Sequence, residues 1–571
     1  MSTSTDVLFD QAAAFLQGGQ IAEAESIYAR VLQADPSDPD ALHFSGLIAA
    51  HSGQWERAAD LMKQSLEYDP SNAEAYCNLG TVYKTLGRHS QALECYDRAI
   101  EAAPNRAAIY FNRALILHEL QSYPEALQGY ATAAQIDPTF PEAFNAAGLM
   151  LHRLGRPQEA VAHYRRAIEL KPDFAEAHSN CGCVLRELGD LPGALSHFTH
   201  AIEHQGDFIQ AYSNRGAANT ELGRYAEALA DYDRALELMP ELPAAHCNRS
   251  YVHLVNGNLA AGWADYEWRM KVPTSSLARE NRVFNRPLWR GDSSLAGKTI
   301  LAYSEQGFGD TIQFCRYAGK LAAAGARVVL EVPAELVSLL ESLPGVSHVL
   351  ARGAGIPDFD CHIPIMSLPC AFRTTLETVP ADIPYLKPDR QKVLFWSGLL
   401  GARRNLRVGL VWSGGLRPDQ PEVWAVNRRR NIALQRLAVL RHPKIDFYSL
   451  QKGQPAESEL AELQRQNWDG PMIIDHTSRL RDFSDTAAFL SQLDLVISVD
   501  TATAHLAGAM GKPVWMMNRY DTCWRWLLHR RDTPWYPSFT IYRQRTVADW
   551  DGVIDQVRTA LGRLVDRFEA P

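Results

Sequence analysis

No apolar run in this chain is long enough to cross a bilayer without interruption, so a helical membrane span is not expected. Cysteine is sparse and unpaired: nine residues are scattered through 571, with no Cys-x-x-Cys pair. That argues against a zinc or disulfide framework and for a reducing, cytoplasmic setting. Cys181 and Cys183 stand closest together, but side chains two apart on a helix point in different directions. The opening MSTSTDVLFD has neither a basic n-region nor an apolar core, so no signal peptide is expected. An excess of positive charge is missing too: 57 Lys and Arg against 66 Asp and Glu leave a formal charge of -9. Nucleic acid is therefore not the expected partner. What remains is ordinary soluble-protein material, 46% hydrophobic and 22% charged, in enough length for about three or four domains.

What is present is a period. Positions 36, 70, 104, 138, 172, 206 and 240 lie 34 residues apart, and all hold Pro except Gly206. Ala24, Ala58, Ala92, Ala126, Ala160, Ala194 and Ala228 keep a second phase. A ring or Met follows each four residues later: Tyr28, Met62, Tyr96, Tyr130, Tyr164, Phe198 and Tyr232. Gly46, Gly80, Gly148, Gly182 and Gly216 keep a third, with Ala114 and Ser250 in register. A fixed period of this length is the signature of tetratricopeptide repeats (TPR), helix–turn–helix units stacked into a solenoid. Small residues let paired helices approach, rings fill the space between them, and Pro stops the second helix. The reading is an all-α TPR solenoid over about residues 5–270, with seven repeats and a partial eighth. Such solenoids mostly hold other proteins.

One in-phase position is polar: Asn78, Asn112, Asn180, Asn214 and Asn248, interrupted by Phe44 and Ala146. A carboxamide both donates and accepts. A row of them along a groove suits the backbone of an extended protein acceptor, and it equally suits contacts between neighbouring helices. The row resembles the asparagine ladder of the O-GlcNAc transferases, whose TPR arm grips protein substrates.

Beyond residue 270 the pattern changes. Residues 271–297 read as an irregular connector. Short β-branched runs then alternate with longer amphipathic stretches. They predict strands at Thr299–Tyr303, Arg327–Val332, Val346–Leu350, Arg407–Trp412, Ile445–Leu450, Met472–Asp475, Leu495–Val499, Pro513–Met517 and Phe539–Tyr542. That alternation indicates α/β architecture, parallel sheets with crossover helices. A helix-like break near 387–405 divides the region into two Rossmann-like lobes, 298–390 and 405–545. A helix near Asp549–Phe568 carries the second lobe on to residue 571. Two such lobes place a ligand cleft at the carboxyl ends of their strands.

Three segments fall at those ends. In YSEQGFGDTIQF (303–314), Gly307 and Gly309 permit a tight turn with close backbone approach. Asp310 then opens a helix, where a carboxylate suits a general base and equally a helix cap. In SVDTATAHLAGAMGKPVW (498–515), Asp500 or Thr501 caps a helix that begins with Ala502 and whose first N–H groups suit a diphosphate. His505 lies one turn in, on the face of Thr501; a tightly packed helix with a satisfied His fits the same letters. The third segment joins Trp412–Gly415, which includes Ser413 and Gly414, to the Arg cluster Asn427–Asn431. Guanidinium groups suit phosphate, as they suit solvent. Gln451 and Lys452 end the next strand, where a cation would stabilise a departing diphosphate.

Together GFGDTIQF, the Arg cluster, DTATAHLAGAMGKPVW and CWRWLLHRRDTPWYPS (523–538) resemble the GT-B glycosyltransferases related to the ADP-heptose heptosyltransferases, the last stretch as it occurs in bacterial TPR-fused relatives. The resemblance implies inverting, metal-independent transfer of a sugar from a nucleotide sugar, with no bound cofactor. It implies Asp310 as the base. Asp500, Thr501 and His505 match the donor diphosphate-binding segment. Arg430 falls near the donor-phosphate cation, an Arg where heptosyltransferases carry Lys, and Ala502 stands where they carry Gly. Gly307, Gly309, Ser413, Gly414, Gln451 and Lys452 complete the expected donor site. Asp358-Phe359-Asp360 spells the DxD of metal-dependent glycosyltransferases, but in this resemblance it is expected to hold no metal. With the TPR arm, the expected acceptor is a Ser or Thr of a protein, flagellin being one candidate among bacterial surface structures. A saccharide or lipid-linked acceptor, and a catalytically inactive scaffold, are the alternatives.

Overall fold

A computed structural model describes residues 4–273, 282–415, 429–466 and 468–568. The chain forms two compact units, Met1–Leu222 and Gly223–Pro571. The first is helical. Among its described residues, thirteen helices of 13 or 14 residues run from Ser4–Gln17 to Ile209–Glu221. Those ending at Ala34, Tyr68, Ala102, Ile136 and Leu170 stop two residues short of Pro36, Pro70, Pro104, Pro138 and Pro172. The in-phase Ala24, Ala58, Ala92, Ala126, Ala160 and Ala194 are fully buried, as are Met62, Tyr130 and Phe198. The glycine phase is a matter of space: a Cβ on Gly182 would stand 2.7 Å from the Phe198 ring, and one on Gly148 2.8 Å from Tyr164. A further phase, which the sequence reading missed, marks the turn inside each hairpin. Gly19, Gly53, Gly87, Gly155 and Gly189 are left-handed there, and Gln121 holds the same register at φ 60.

The second unit opens with three more helices, Tyr225–Leu238, Pro243–Val255 and Leu259–Tyr266, and a 3-10 turn at Glu267–Lys271. The repeats thus run to about residue 270, as the period indicates, while the compact division falls earlier. Packing is the reason. Leu254, Val255, Leu259 and Trp263 share one core with Ile300, Phe314, Trp524 and Trp535. The Trp263 indole donates to Thr374 O at 3.0 Å, and the Tyr251 hydroxyl to Thr522 O at 2.6 Å. Of the connector, residues 274–281 lie outside the described residues.

Two parallel sheets follow. The first joins β1 (Thr299–Tyr303), β2 (Arg327–Val332), β3 (Val346–Ala351) and β4 (Cys361–Pro364) in the order β3-β2-β1-β4. The second joins β5 (Leu406–Val411), β6 (Ile445–Ser449), β7 (Ile473–Asp475), β8 (Leu495–Ser498), β9 (Val514–Asn518) and β10 (Phe539–Arg543) in the order β10-β9-β8-β5-β6-β7. The nine strands expected from the apolar runs are all present, with ends shifted by at most one residue. The helix Arg390–Leu400 fills the break between the sheets, and Trp550–Asp566 forms the last helix. β5 and β8 are buried along their whole length, as strands covered on both faces must be. In each sheet the strand order reverses about one strand, β1 in the first and β5 in the second. A crevice opens outside the carboxyl ends at such points.

Candidate functional site

At the second reversal the chain leaves β5 through Trp412–Gly415 and β8 through Asp500 and Thr501. Gln451, leaving β6, accepts at Oε1 from the N–H groups of Trp412 (3.2 Å) and Ser413 (3.0 Å). The Gly414 N–H donates to Asn431 Oδ1 at 2.8 Å. A Cβ on Gly414 would fall 2.2 Å from the Arg430 guanidinium, so glycine lets Arg430 cross the turn. Arg430 Nη1 then donates to Asp500 O at 3.1 Å. Ser413, Gly414, Arg430, Gln451 and Asp500 therefore tie three strand ends together. Lys452 Nζ donates to Leu480 O. Asn427 and Arg428 of the Arg cluster lie outside the described residues.

Thr501, not Asp500, caps the helix Ala502–Ala509: its Oγ1 accepts from the Ala504 N–H at 3.5 Å and lies 3.1 Å from Ser498 Oγ. Asp500 instead faces His505, Oδ1 to Nε2 at 3.8 Å. His505 is 5% exposed, with Nδ1 2.9 Å from the Tyr536 hydroxyl and its ring against Trp526. Burial pushes its pKa down to about 4, against the opposing pull of Asp500. The ring is thus neutral near pH 7; with its proton on Nε2, toward Asp500, Nδ1 is left to accept from the Tyr536 O–H.

At the first reversal Gly307 starts the helix Phe308–Phe314, with Asp310 at its third position. Asp310 Oδ2 accepts from the Gly307 N–H at 2.9 Å, and Oδ1 pairs with Arg525 Nη2. Asp310 does cap its helix, from inside the first turn rather than from the cap position. Arg525 is buried, donates from Nε to Gln313 Oε1 at 2.7 Å and lies over Trp524 at 4.2 Å. Burial pulls its pKa down, but the carboxylate of Asp310 leads the charges that hold it above the ordinary value. A Cβ on Gly309 would stand 2.9 Å from His505 Cδ2. The helices Phe308–Phe314 and Ala502–Ala509 therefore pass backbone to ring, which gathers Asp310, Arg525, Asp500 and His505.

Adjoining this cluster is a cavity of about 490 Å³ lined by Ser413, Gln451, Lys452, Thr501 and Ala502. Phe308 and Glu335 reach it from the first sheet's helices, and Arg481, Asp482 and Phe483 line it as well. Gly307, Gly309, Asp310, Gly414, Arg430, Asp500 and His505 do not line it. The sequence reading missed Arg525, Gln313, Tyr536, Glu335 and Arg481 as site residues. Arg525 and Gln313 lie within quoted motifs, but no spacing rule pairs positions 310 and 525. The DxD segment serves a strand: Asp360 Oδ2 accepts from the Thr299 N–H at 2.7 Å. Among the described residues no group of three or more His, Cys, Asp or Glu is placed to hold a metal ion.

In the first unit the asparagine row bridges neighbouring repeats. Asn78 Nδ2 lies 3.0 Å from His43 Nε2; Asn112 donates to Cys77 Sγ at 3.8 Å, Asn180 to Asn145 Oδ1 at 3.1 Å and Asn214 to Cys183 Sγ at 3.2 Å. Among the described residues the carboxamide oxygens of these four have no hydrogen-bond partner. Asn248 belongs to the second unit and is exposed.

Residues 6–38, 73–106, 95–128 and 209–242 match tetratricopeptide-repeat families, and 46–87, 114–155 and 148–185 match a TPR repeat family. The helical part of the chain is built of tetratricopeptide repeats. The chain is 29% identical over 298 residues to Protein FlbA of Caulobacter vibrioides, which covers 48% of this chain and 48% of that protein. It thus spans about half the length of the curated relative it matches. Similar solved structures include YrrB, described as a TPR protein with an unusual peptide-binding site, at 25% identity and TM-score 0.30, covering 33% of this chain and 96% of that one. PilF of Pseudomonas aeruginosa is another, at 22% identity and TM-score 0.33, covering 36% and 95%. No helix among the described residues is long and apolar enough to cross a membrane.

Proposed function

We propose that the chain is a glycosyltransferase of the GT-B kind that moves a sugar from a nucleotide sugar to a protein held by its TPR unit. The observation that carries the reading is the convergence of Ser413, Gln451, Lys452, Thr501 and Ala502 on one cavity where the second sheet reverses its strand order. Anionic ligands favour such a helix start, since the N–H groups of its first turn have no carbonyl partner within the helix and Thr501 caps that of Ala504. In this reading the donor diphosphate lies against the start of Ala502–Ala509 and Lys452 neutralises the departing charge. The acceptor hydroxyl attacks the anomeric carbon with inversion, its proton passes to Asp310, and the nucleoside diphosphate leaves. Each Asp310 oxygen keeps a second lone pair beside its bond to Gly307 or Arg525. The family resemblance supports a metal-independent reaction with flagellin as one candidate acceptor, and the sparse, unpaired cysteines support a cytoplasmic setting. The asparagine oxygens of the first unit are suited to peptide N–H groups.

The engagement of Asp310 by Arg525 favours one alternative, a scaffold that binds a nucleotide without turning it over. Calorimetric titration with UDP, GDP, ADP, CMP and their sugar derivatives, without added metal, separates the two. We expect micromolar binding of one nucleotide, weakened about tenfold or more by Lys452→Ala. Asp310→Asn keeps that binding and loses transfer. Asn180→Ala with Asn214→Ala weakens acceptor binding alone. Binding without turnover in the unaltered protein supports the scaffold; silence across the panel in folded protein sinks both readings.

A further inference from the structure

We infer that Tyr251 to Arg269, the last helical segment described before the first sheet, positions the Asp310–Arg525 pair, so that the end of the repeat array is part of the reacting unit rather than a tether to it. The kinetic consequence rests on the transferase reading; the coupling itself does not. Two sets of contacts carry the inference.

The first set grips the turn that leads into Asp310. Arg269, 6% exposed, donates from Nε (3.0 Å) and Nη2 (2.6 Å) to the two oxygens of Glu305, itself 2% exposed. Nη2 also reaches Ser367 Oγ at 2.8 Å, and Nη1 reaches Glu267 Oε1 at 2.9 Å. A forked pair of this kind fixes direction as well as charge. The Tyr266 hydroxyl accepts from Gln306 Nε2 at 2.9 Å. Glu305 and Gln306 directly precede Gly307, whose N–H holds the Asp310 carboxylate.

The second set grips the segment that presents Arg525. Tyr251 donates to Thr522 O at 2.6 Å. Trp263 meets Trp524 edge-on at 5.2 Å, and Arg525 lies over the other partner of that contact at 4.2 Å. Both sets originate in the helices Pro243–Val255 and Leu259–Tyr266 and the turn that follows them. A shift there bears on both members of the Asp310–Arg525 pair at once. Tyr251, Tyr266 and Arg269 are therefore positioning residues, acting through Thr522, Gln306 and Glu305.

The test uses the full chain. Tyr251→Phe removes a hydroxyl and keeps the ring; Arg269→Lys keeps the charge and loses the fork. By hydrogen-exchange mass spectrometry, residues 520–527 lose protection in Tyr251→Phe, and the loss extends to 304–314, with which Tyr251 shares no hydrogen bond. In steady-state assays kcat falls about tenfold or more while KM for the nucleotide sugar stays put. Arg269→Lys recovers part of the loss seen in Arg269→Met. Protection lost only at 520–527, or full kcat in a variant whose Tm has fallen, overturns positioning. If the unaltered protein turns over no nucleotide sugar, the transferase reading fails and the exchange result alone decides the coupling.

Discussion

A buried histidine whose hydrogen bond is to a neutral hydroxyl, with its nearest carboxylate beyond hydrogen-bond reach at 3.8 Å, behaves as an uncharged polar residue until acid forces a proton onto it. His505 is such a residue, held by Tyr536 and with a pKa pushed by burial to about 4 from an ordinary 6.5. Between those values the unfolded chain binds a proton that the folded chain refuses. Stability of the second unit therefore falls as pH drops from about 6.5 to about 4, by on the order of 3 kcal/mol for this group, and levels below. All of the 13 Trp except Trp55 lie in this unit, so tryptophan fluorescence reports its unfolding. His505→Gln is expected to make the urea midpoint less steep between pH 7 and 5. The remaining slope belongs to His253, His362 and His476, which burial also lowers. An unchanged slope would show that His505 is hydrated. Both readings of this histidine were open in the sequence. Tyr536, the partner that makes it a packed, neutral group, lies 31 residues away on another element, beyond any helical spacing rule.

At the scale of the element, the repeats were legible because their physics is local and repeated. Ring, small residue and Pro recur at one period, and each does at every turn of the array what it does at the first. The left-handed glycine of the hairpin turn recurs just as regularly, and its one exception in the first unit is informative. Gln121 sits at φ 60, where Gly53, Gly87, Gly155 and Gly189 stand in the other turns. A side chain is strained in that region, so Gln121→Gly is expected to stabilise the first unit by about 0.5–1 kcal/mol in urea denaturation followed by far-UV circular dichroism. The reverse change serves as control. A Cβ on Gly155 meets nothing within 4 Å at φ 72, so Gly155→Ala tests backbone strain without steric clash and should destabilise by about 1 kcal/mol. A neutral outcome for both would mean that the turns relax to accommodate a side chain. The strands of the second unit were legible for a related reason: the central runs β5 and β8 are buried throughout, while the edge strands β3 and β7 are partly exposed. The cavity was only half legible. Turn residues at strand ends announced Ser413, Lys452 and Thr501, whereas Glu335 and Arg481 carry no mark of where the chain will bring them.

For the whole molecule, the boundary is the point on which period and packing part. The period ends near residue 270, but the core of the second unit already includes Leu254, Val255, Leu259 and Trp263, none more than 2% exposed. A protein beginning at Gly223 keeps this core and the Arg269–Glu305 pair. One beginning at Lys271 exposes the partners of those four side chains and leaves Glu305, 2% exposed, without its guanidinium. Breaking a buried pair in this way costs about 3–5 kcal/mol by itself, a large share of the stability of a typical domain. We expect the protein from Gly223 to melt in one cooperative fluorescence transition with a well-formed near-ultraviolet circular dichroism spectrum. We expect the protein from Lys271 to lose that spectrum and to melt broadly or not at all. Equal cooperativity of the two would return the boundary to residue 270 and reduce Tyr251, Trp263 and Arg269 to surface contacts. If only the longer piece folds, the last repeat helices belong to the two-sheet unit, and any account of how the repeats serve the site has to pass through them.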